Sequence, residues 1–275
     1  MTYIEITPRT AVKTVALKQD NASIKLEPFP FDPRHTREMT VEWVTLLFID
    51  NTQSPPDSWR VYRLEILPLP YDAFITRWNI WAISDTPPVQ KLESPYTRFY
   101  SEADCSEKGV NVGTDDPNYF TNIKREYIIL HRIAAIWQSG DTVYSRIYFN
   151  FEKYIEKTID ATGYYTMFDY PDDNPCGFSS ATSYISIYME ATSTWINAYE
   201  NIVRIYFKAL SKEEMEWNLK NPFNPVRRGL ALWCDVFTIK DDGWYDKIDS
   251  SRKFTYNLTS IVERADVCIK RVRIA

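Results

Sequence analysis

Glycine is scarce in this 275-residue chain, 7 residues against 16 prolines. Few positions can therefore adopt backbone conformations closed to L side chains, and the unfolded chain has less conformational entropy to lose. Histidine is scarcer: His35 and His131 are the only 2. That is too few for most histidine-based metal sites, and there is no G-x-S-x-G elbow for either to serve. The four cysteines, Cys105, Cys176, Cys234 and Cys268, form no C-x-x-C pair, so metal-ligand spacing is absent. The phosphate-cradling and zinc-protease motifs G-x-x-x-x-G-K-[ST], G-x-G-x-x-G and H-E-x-x-H are missing too. No cofactor and no metal are expected.

Long apolar runs are also absent. None approaches the length that spans a bilayer, and the opening MTYIEITPRTAVKTVALKQD holds no apolar stretch of signal-peptide length. The expected location is the cytoplasm of the producing cell or a virion, without membrane insertion. A basic excess is missing as well: the net charge is −5. Arg227-Arg228 and Lys270-Arg271-Val272-Arg273 read as solvated strand ends, so nucleic acid is not an expected partner.

Aromatic residues are plentiful, with Tyr 19, Phe 14 and Trp 9, and flat side chains pack well on a half-buried pleated surface. Strand patterns follow. Residues 41–49 (VEWVTLLFI) are apolar on nearly both faces, 59–67 (WRVYRLEIL) follow a Ser-Pro-Pro-Asp turn, and 74–83 (FITRWNIWAI) end at Asp-Thr-Pro-Pro. From 91 to 122 the pattern breaks and reads as a long polar excursion. Residues 125–137 (REYIILHRIAAIW) fit a strand or a short helix. In 143–151, Val143, Ser145, Ile147, Phe149 and Phe151 share one face against Tyr144, Arg146, Tyr148 and Asn150, the alternation of a half-buried strand. Segments 164–169, 184–189 and 202–209 continue the series.

One helix is well specified. Ser211-Lys212-Glu213-Glu214 is a capping box, Leu210 and Met215 occupy the hydrophobic-staple positions, and Asn221-Pro222 ends the run. Met215 and Leu219 fall on one face.

The run 203–215 (VRIYFKALSKEEM) resembles the end of laminin-G-like, concanavalin-type jelly rolls, which close on a strand reading V-R-I-Y-x-R-A-L-S-x-E-E-I followed by a helical turn. Lys208 and Met215 are the departures. The resemblance covers roughly 142–236 and implies two antiparallel sheets face to face. The following NPFNPVRRGLALWCDV looks like the linker and opening strand that lead to a next such domain. The superfamily includes sugar binders, glycan hydrolases and structural modules, and fold does not choose among them. The Glu-x-Asp-x-x-Glu strand of its glucanase branch is missing, since 185–190 (ISIYME) ends in a single acid. The Tyr- and Trp-rich, Gly-poor composition with scarce Gln also resembles proteins of viruses of hot-spring archaea and predicts thermostability.

The expected fold is a mainly β antiparallel sandwich, jelly-roll-like, with a few short helices. Residues 1–123 form a β-rich region of the same or a separate sandwich, 124–220 the jelly-roll-like region, and 221–275 a linker and C-terminal strands. Rings beside turn residues, namely Tyr164, Tyr165, Tyr170, Trp195, Trp244 and Tyr245, are the candidate binding surface for sugars or a partner subunit. Cys105 and Cys176, both in loop-like contexts, are the candidate disulfide, whereas Cys234 and Cys268 read as buried thiols. Among the paired carboxylates, Glu213/Glu214 are explained by capping, and Asp172/Asp173 in YPDDNPCG read as a turn. No catalytic residue is assigned. The expected function is a non-enzymatic structural or assembly protein of a virus that forms homo-oligomers or joins other structural subunits. The alternative is a carbohydrate-binding module for surface glycans in cell attachment.

Overall fold

The computed structural model describes residues 2–7, 12–17, 22–49, 60–68, 76–83, 89–92, 95–113, 127–149, 153–190, 196–256, 261–265 and 268–273. In chain order these form β1 (Thr2–Thr7), β2 (Val12–Leu17), β3 (Ser23–Leu26), β4 (Glu38–Ile49), β5 (Arg60–Leu67), β6 (Thr76–Ile83) and β7 (Val89–Leu92). Next come β8 (Tyr96–Ser101), β9 (Glu107–Asn111), β10 (Tyr127–Ser139), β11 (Thr142–Phe149), β12 (Lys153–Asp160), β13 (Tyr164–Tyr165), β14 (Tyr184–Glu190) and β15 (Ile196–Tyr206). The helix α1 (Lys212–Lys220) precedes β16 (Leu230–Asp235), β17 (Ile239–Lys240), β18 (Gly243–Tyr245), β19 (Lys253–Tyr256), β20 (Ile261–Ala265) and β21 (Cys268–Arg273).

The chain is mainly β, and its sheets are antiparallel. An eight-stranded sheet runs β12-β11-β10-β4-β15-β2-β20, with β16 also on β15. An eleven-stranded sheet runs β13-β8-β6-β5-β14-β3-β19-β18-β17, with β7 on β6 and β9 on β8. The pair β1-β21 stands as a third sheet. Strands from 1–123, 124–220 and 221–275 interleave within the eight-stranded sheet. Segment 125–137 is strand β10, and the polar stretch from 91 to 122 contributes β8 and β9, a correction to its reading as an excursion. Exposed polar side chains on β9 broke the pattern there; main-chain pairing with β8 holds the strand.

The two large sheets share one core. From the eight-stranded sheet come Val15, Val41, Trp43, Ile147, Val203 and Ile205; facing them are Ile24, Leu64, Ile66, Phe99, Ile185 and Ile187. Burying each large apolar side chain contributes about 1.5–3 kcal/mol, so these rows fix which face of each strand turns inward. On β15 the parity changes midway. The register against β4 shifts between Glu200 and Ile202, so Ala198 precedes the bulge and Val203 and Ile205 follow it on the core side. The step leaves Ile202, Arg204 and Tyr206 on the opposite face.

That opposite face carries α1. Ser211 is the N-cap, with the Glu214 N–H donating to its hydroxyl and the Ser211 N–H donating to the Glu214 carboxylate at 2.9 Å. Met215 and Leu219 pack with Leu210 on Ile133, Ala135, Tyr148 and Tyr206. Tyr148, placed by alternation on the solvent side, is buried under this helix and donates to Glu216 Oε1 at 2.7 Å. The segment after α1 does not lead to a next domain. Its strand β16 returns to pair with β15, Val203 opposite Cys234 and Arg204 opposite Trp233. Asn150 and Phe151 lie outside the described residues.

Cys105 and Cys176 are joined by a disulfide with Cα atoms 5.5 Å apart and a sequence separation of 71. Cys234 is a buried thiol whose pKa burial pushes well up, and the side chain of Cys268 lies outside the described residues. Removing the crosslink relaxes a long loop of the unfolded chain. The C105S/C176S variant is therefore expected to lose about 4 kcal/mol in urea unfolding with the sheets retained by circular dichroism; an unchanged midpoint would contradict this.

Candidate functional site

The rings singled out in the sequence do not form one platform. Tyr164 and Tyr165 sit on β13 and Trp244 and Tyr245 on β18, close to opposite ends of the eleven-stranded order. Six strands lie between them in that order, roughly 30 Å at the usual strand spacing. Tyr170 is not a surface ring. It is buried, donates to Asn174 Oδ1 at 2.6 Å, accepts from the Cys176 N–H, and packs on Tyr165 and Phe178. Trp244 is likewise core, because its indole N–H reaches the Asp235 carbonyl at 2.8 Å and its ring meets Phe254. Both polar tips find partners inside, and that permits burial of so much apolar surface. Tyr164 and Tyr165 are half-buried, and Lys108 lies 4.8 Å from the Tyr164 ring centroid. Tyr245 is half-buried between Lys240, 3.9 Å from its ring, and Lys253, and donates to Asp242 Oδ2. Trp195 lies outside the described residues.

Large apolar side chains do reach water at one corner. Trp217 is 48% exposed, Phe237 70% and Ile248 46%. Contacts join them into one surface. Trp217, on the α1 face opposite Met215, donates its indole N–H to the Asn224 carbonyl at 2.9 Å. The neighbouring Phe223 meets Phe237 edge-on at 5.4 Å. Lys247, next to Ile248, lies 5.5 Å from the Phe237 ring and 4.1 Å from that of Trp233. Arg227 covers Trp233 from 4.4 Å. The signal for Trp217 was present in the sequence: two residues past Met215 on a helix points away from the buried side. Nothing local marked Phe237, which follows Asp235 in a short 3-10 turn capped by that carboxylate.

Beneath this corner lies a buried polar network. Glu42 Oε1 accepts from Arg204 Nη1 at 2.7 Å and contacts His131 Nε2 at 2.7 Å, while its Oε2 accepts from Asn218 at 2.9 Å. Asn218 also donates to the Tyr206 hydroxyl. One carboxylate thus ties β4, β10, β15 and α1 together. His35, by contrast, is exposed in a turn. Among the described residues no group of three His, Cys, Asp or Glu side chains could hold a metal ion.

A second buried carboxylate behaves in the opposite way. On the core side, Glu200 Oε2 accepts from the Trp43 indole N–H at 2.6 Å and the Thr45 hydroxyl at 3.2 Å, and Oε1 has no hydrogen-bond partner among the described residues. Arg132 lies over Trp43 at 3.5 Å and donates to the same Thr45 hydroxyl; burial pulls its guanidinium well below the ordinary range. Burial raises the Glu200 pKa from 4.5 to about 8, and its two neutral donors offset little of that. At Glu42 burial works in the same direction, yet Arg204 and then His131 outweigh it and hold the carboxyl at about 2. Such perturbed acids mark reactive sites when they face a cleft. Both of these are fully enclosed.

No protein-family model matches the sequence, and no curated protein matches it. Among solved structures, the botulinum neurotoxin serotype D binding domain aligns at TM-score 0.38 and 9% identity, over 80% of this chain and 46% of that one. The CBM2 module of the evolved Dit of Lactobacillus casei BL23 phage J-1 aligns at 0.36 and 12%, over 69% and 70%. A legume lectin-like domain from Entamoeba histolytica aligns at 0.31 and 8%, over 75% and 88%. This chain thus spans less than half of the botulinum domain structure. Likeness at this level carries no argument about activity or ligand.

The two acids make opposite contributions to the pH dependence of stability. Glu42, with its pKa lowered, stabilises fully above 4.5 and loses that contribution as pH falls towards about 2. Glu200, with its pKa raised, stabilises fully below 4.5 and loses that contribution as pH rises through about 8. E200Q keeps an acceptor for Trp43 and removes the titration. Chemical unfolding at acid and mildly alkaline pH should show wild type falling relative to E200Q, by on the order of a few kcal/mol by pH 8–9. Parallel profiles would refute the assignment.

Proposed function

We propose that this chain is a non-enzymatic assembly protein that associates with further copies of itself through the Trp217–Phe223–Phe237 corner. The observation that carries the reading is the 70% exposure of Phe237 beside Trp217 and Ile248. Aromatic side chains with a flanking arginine are enriched at interface centres, and an exposed aromatic cluster is a poor make-up for a surface left in water. Charge supports a second copy as the occupant. Lys247 lies 5.5 Å from the Phe237 ring and Arg227 lies on the adjoining Trp233, in a chain whose net charge is −5. A cluster of exposed acids lies elsewhere: Glu102, Asp104 and Asp141 on turns and Asp160 at the end of β12, joined by bonds from Ala161 N–H to the Asp141 carbonyl and from Glu102 N–H to the Gly163 carbonyl. A cationic corner set against an acidic turn cluster is a head-to-tail contact between different patches. The full enclosure of Glu42 under α1 and of Glu200 in the core supports the non-enzymatic part, since neither acid is presented to a substrate.

Sugar binding is the second reading, favoured by the same Phe237 ring standing next to the Lys247–Asp235 ion pair at 2.5 Å, a stacking face with a polar flank. Sedimentation velocity across micromolar concentrations tests the first reading. Wild type should sediment as a defined oligomer, and F237S should weaken association by about 10–100-fold with an unchanged melting temperature. A monomer at every concentration would overturn it; a monomer that binds glycans through Phe237 would establish the second.

A further inference from the structure

Arg204 and Trp233 stand directly opposite each other on β15 and β16, and both are enclosed, Trp233 being 4% exposed and Arg204 0%. Arg204 uses Nη1 on Glu42. Among the described residues its Nε and Nη2, which share the other edge of the planar guanidinium, have no acceptor, and neither does the Trp233 indole N–H. A buried donor without an acceptor costs about 1–3 kcal/mol, more when it is charged, and here three such donors belong to two facing residues. The Arg204 guanidinium carbon lies 5.2 Å from the Trp233 ring centroid.

The surroundings have the electrostatics of an anion site. Arg227 and Lys247 both lie on the Trp233 ring, at 4.4 and 4.1 Å. The carboxylates nearby are already engaged. Glu42 takes Arg204 Nη1, His131 and Asn218; Asp235 takes Lys247; Asp246 takes Arg252 and the Trp233 backbone N–H. With those pairs neutralised, the exposed Arg227 adds a positive charge beside the Trp233 ring. The Nε/Nη2 edge of an arginine is the fork that takes two oxygens of one oxyanion side by side.

We infer that the Arg204 Nε/Nη2 edge and the Trp233 indole N–H form a binding site for an oxyanion, a carboxylate or phosphate group, admitted past the Arg227 and Lys247 side chains. The site goes beyond the assembly reading and does not depend on it, because it lies within one chain.

Indole-labelled full-length protein tests this by NMR, since 9 tryptophans give separate N–H signals and W233F assigns the one that matters. Sodium acetate and, separately, sodium phosphate are titrated at ionic strength held constant with sodium chloride. The Trp233 signal should shift saturably to lower field while that of Trp244, already bonded to the Asp235 carbonyl, stays in place. R227Q, a change at an exposed residue, should weaken the response roughly tenfold. Acetate acting alone identifies the carboxylate source, phosphate acting alone the phosphate source. A Trp233 signal that ignores both salts, moves in step with Trp244, or responds identically in R227Q overturns the site. If W233F does not fold, the R227Q-sensitive indole signal serves as the assignment.

Discussion

The Glu42–Arg204 ion pair is the constraint around which the eight-stranded sheet is arranged. Both side chains are fully enclosed, on neighbouring central strands, and each would be intolerable there alone. A buried charge that loses its partner costs about 3–5 kcal/mol, so the pairing of β4 with β15 cannot slip by one residue without leaving both uncompensated. The bulge between Glu200 and Ile202 serves the same end. It turns Arg204 to the helix side while Val203 and Ile205 still reach the core. His131 brings in β10, and Asn218 brings in α1, which lies over the pair and keeps water from it.

The contrast between Glu42 and Glu200 shows how little residue type decides. Two glutamates, equally buried and one strand apart, are driven in opposite directions, because one meets a guanidinium and an imidazole and the other an indole and a hydroxyl. Neutral donors satisfy an oxygen but do not supply the opposite charge that would repay desolvation. The sheet therefore carries one acid that favours neutral pH and one that opposes it.

Aromatic residues divide along a related line. Trp43, Trp244 and Tyr170 are inside because each polar tip reaches an acceptor without leaving the core. Trp233 is inside without such an acceptor among the described residues and is surrounded by cations instead. Phe237 has no polar tip to satisfy, yet it stands in solvent, and the same corner holds Trp217 and Ile248. The rings with the least reason to be exposed are thus gathered at one place, and the rings beside Gly and Pro turns are mostly covered.

Local rules carried the strand alternation of β11, the capping box at Ser211 and the stop at Asn221, because each depends on residues a few positions apart and on backbone geometry common to all chains. The same rules misplaced Tyr148, Tyr170 and Trp244, and missed β8, β9 and Phe237. Whether a ring on the outer face of a strand meets water depends on whether a later helix crosses it. Whether a tyrosine beside a turn is covered depends on a loop that a disulfide ties to a cysteine 71 positions earlier in the chain than its own. Alternation and capping are settled within a turn or two of chain. Which face is covered, which acid meets an arginine and which aromatic corner remains open are settled by segments that meet only in the folded sheet, and those meetings leave no mark on neighbouring sequence.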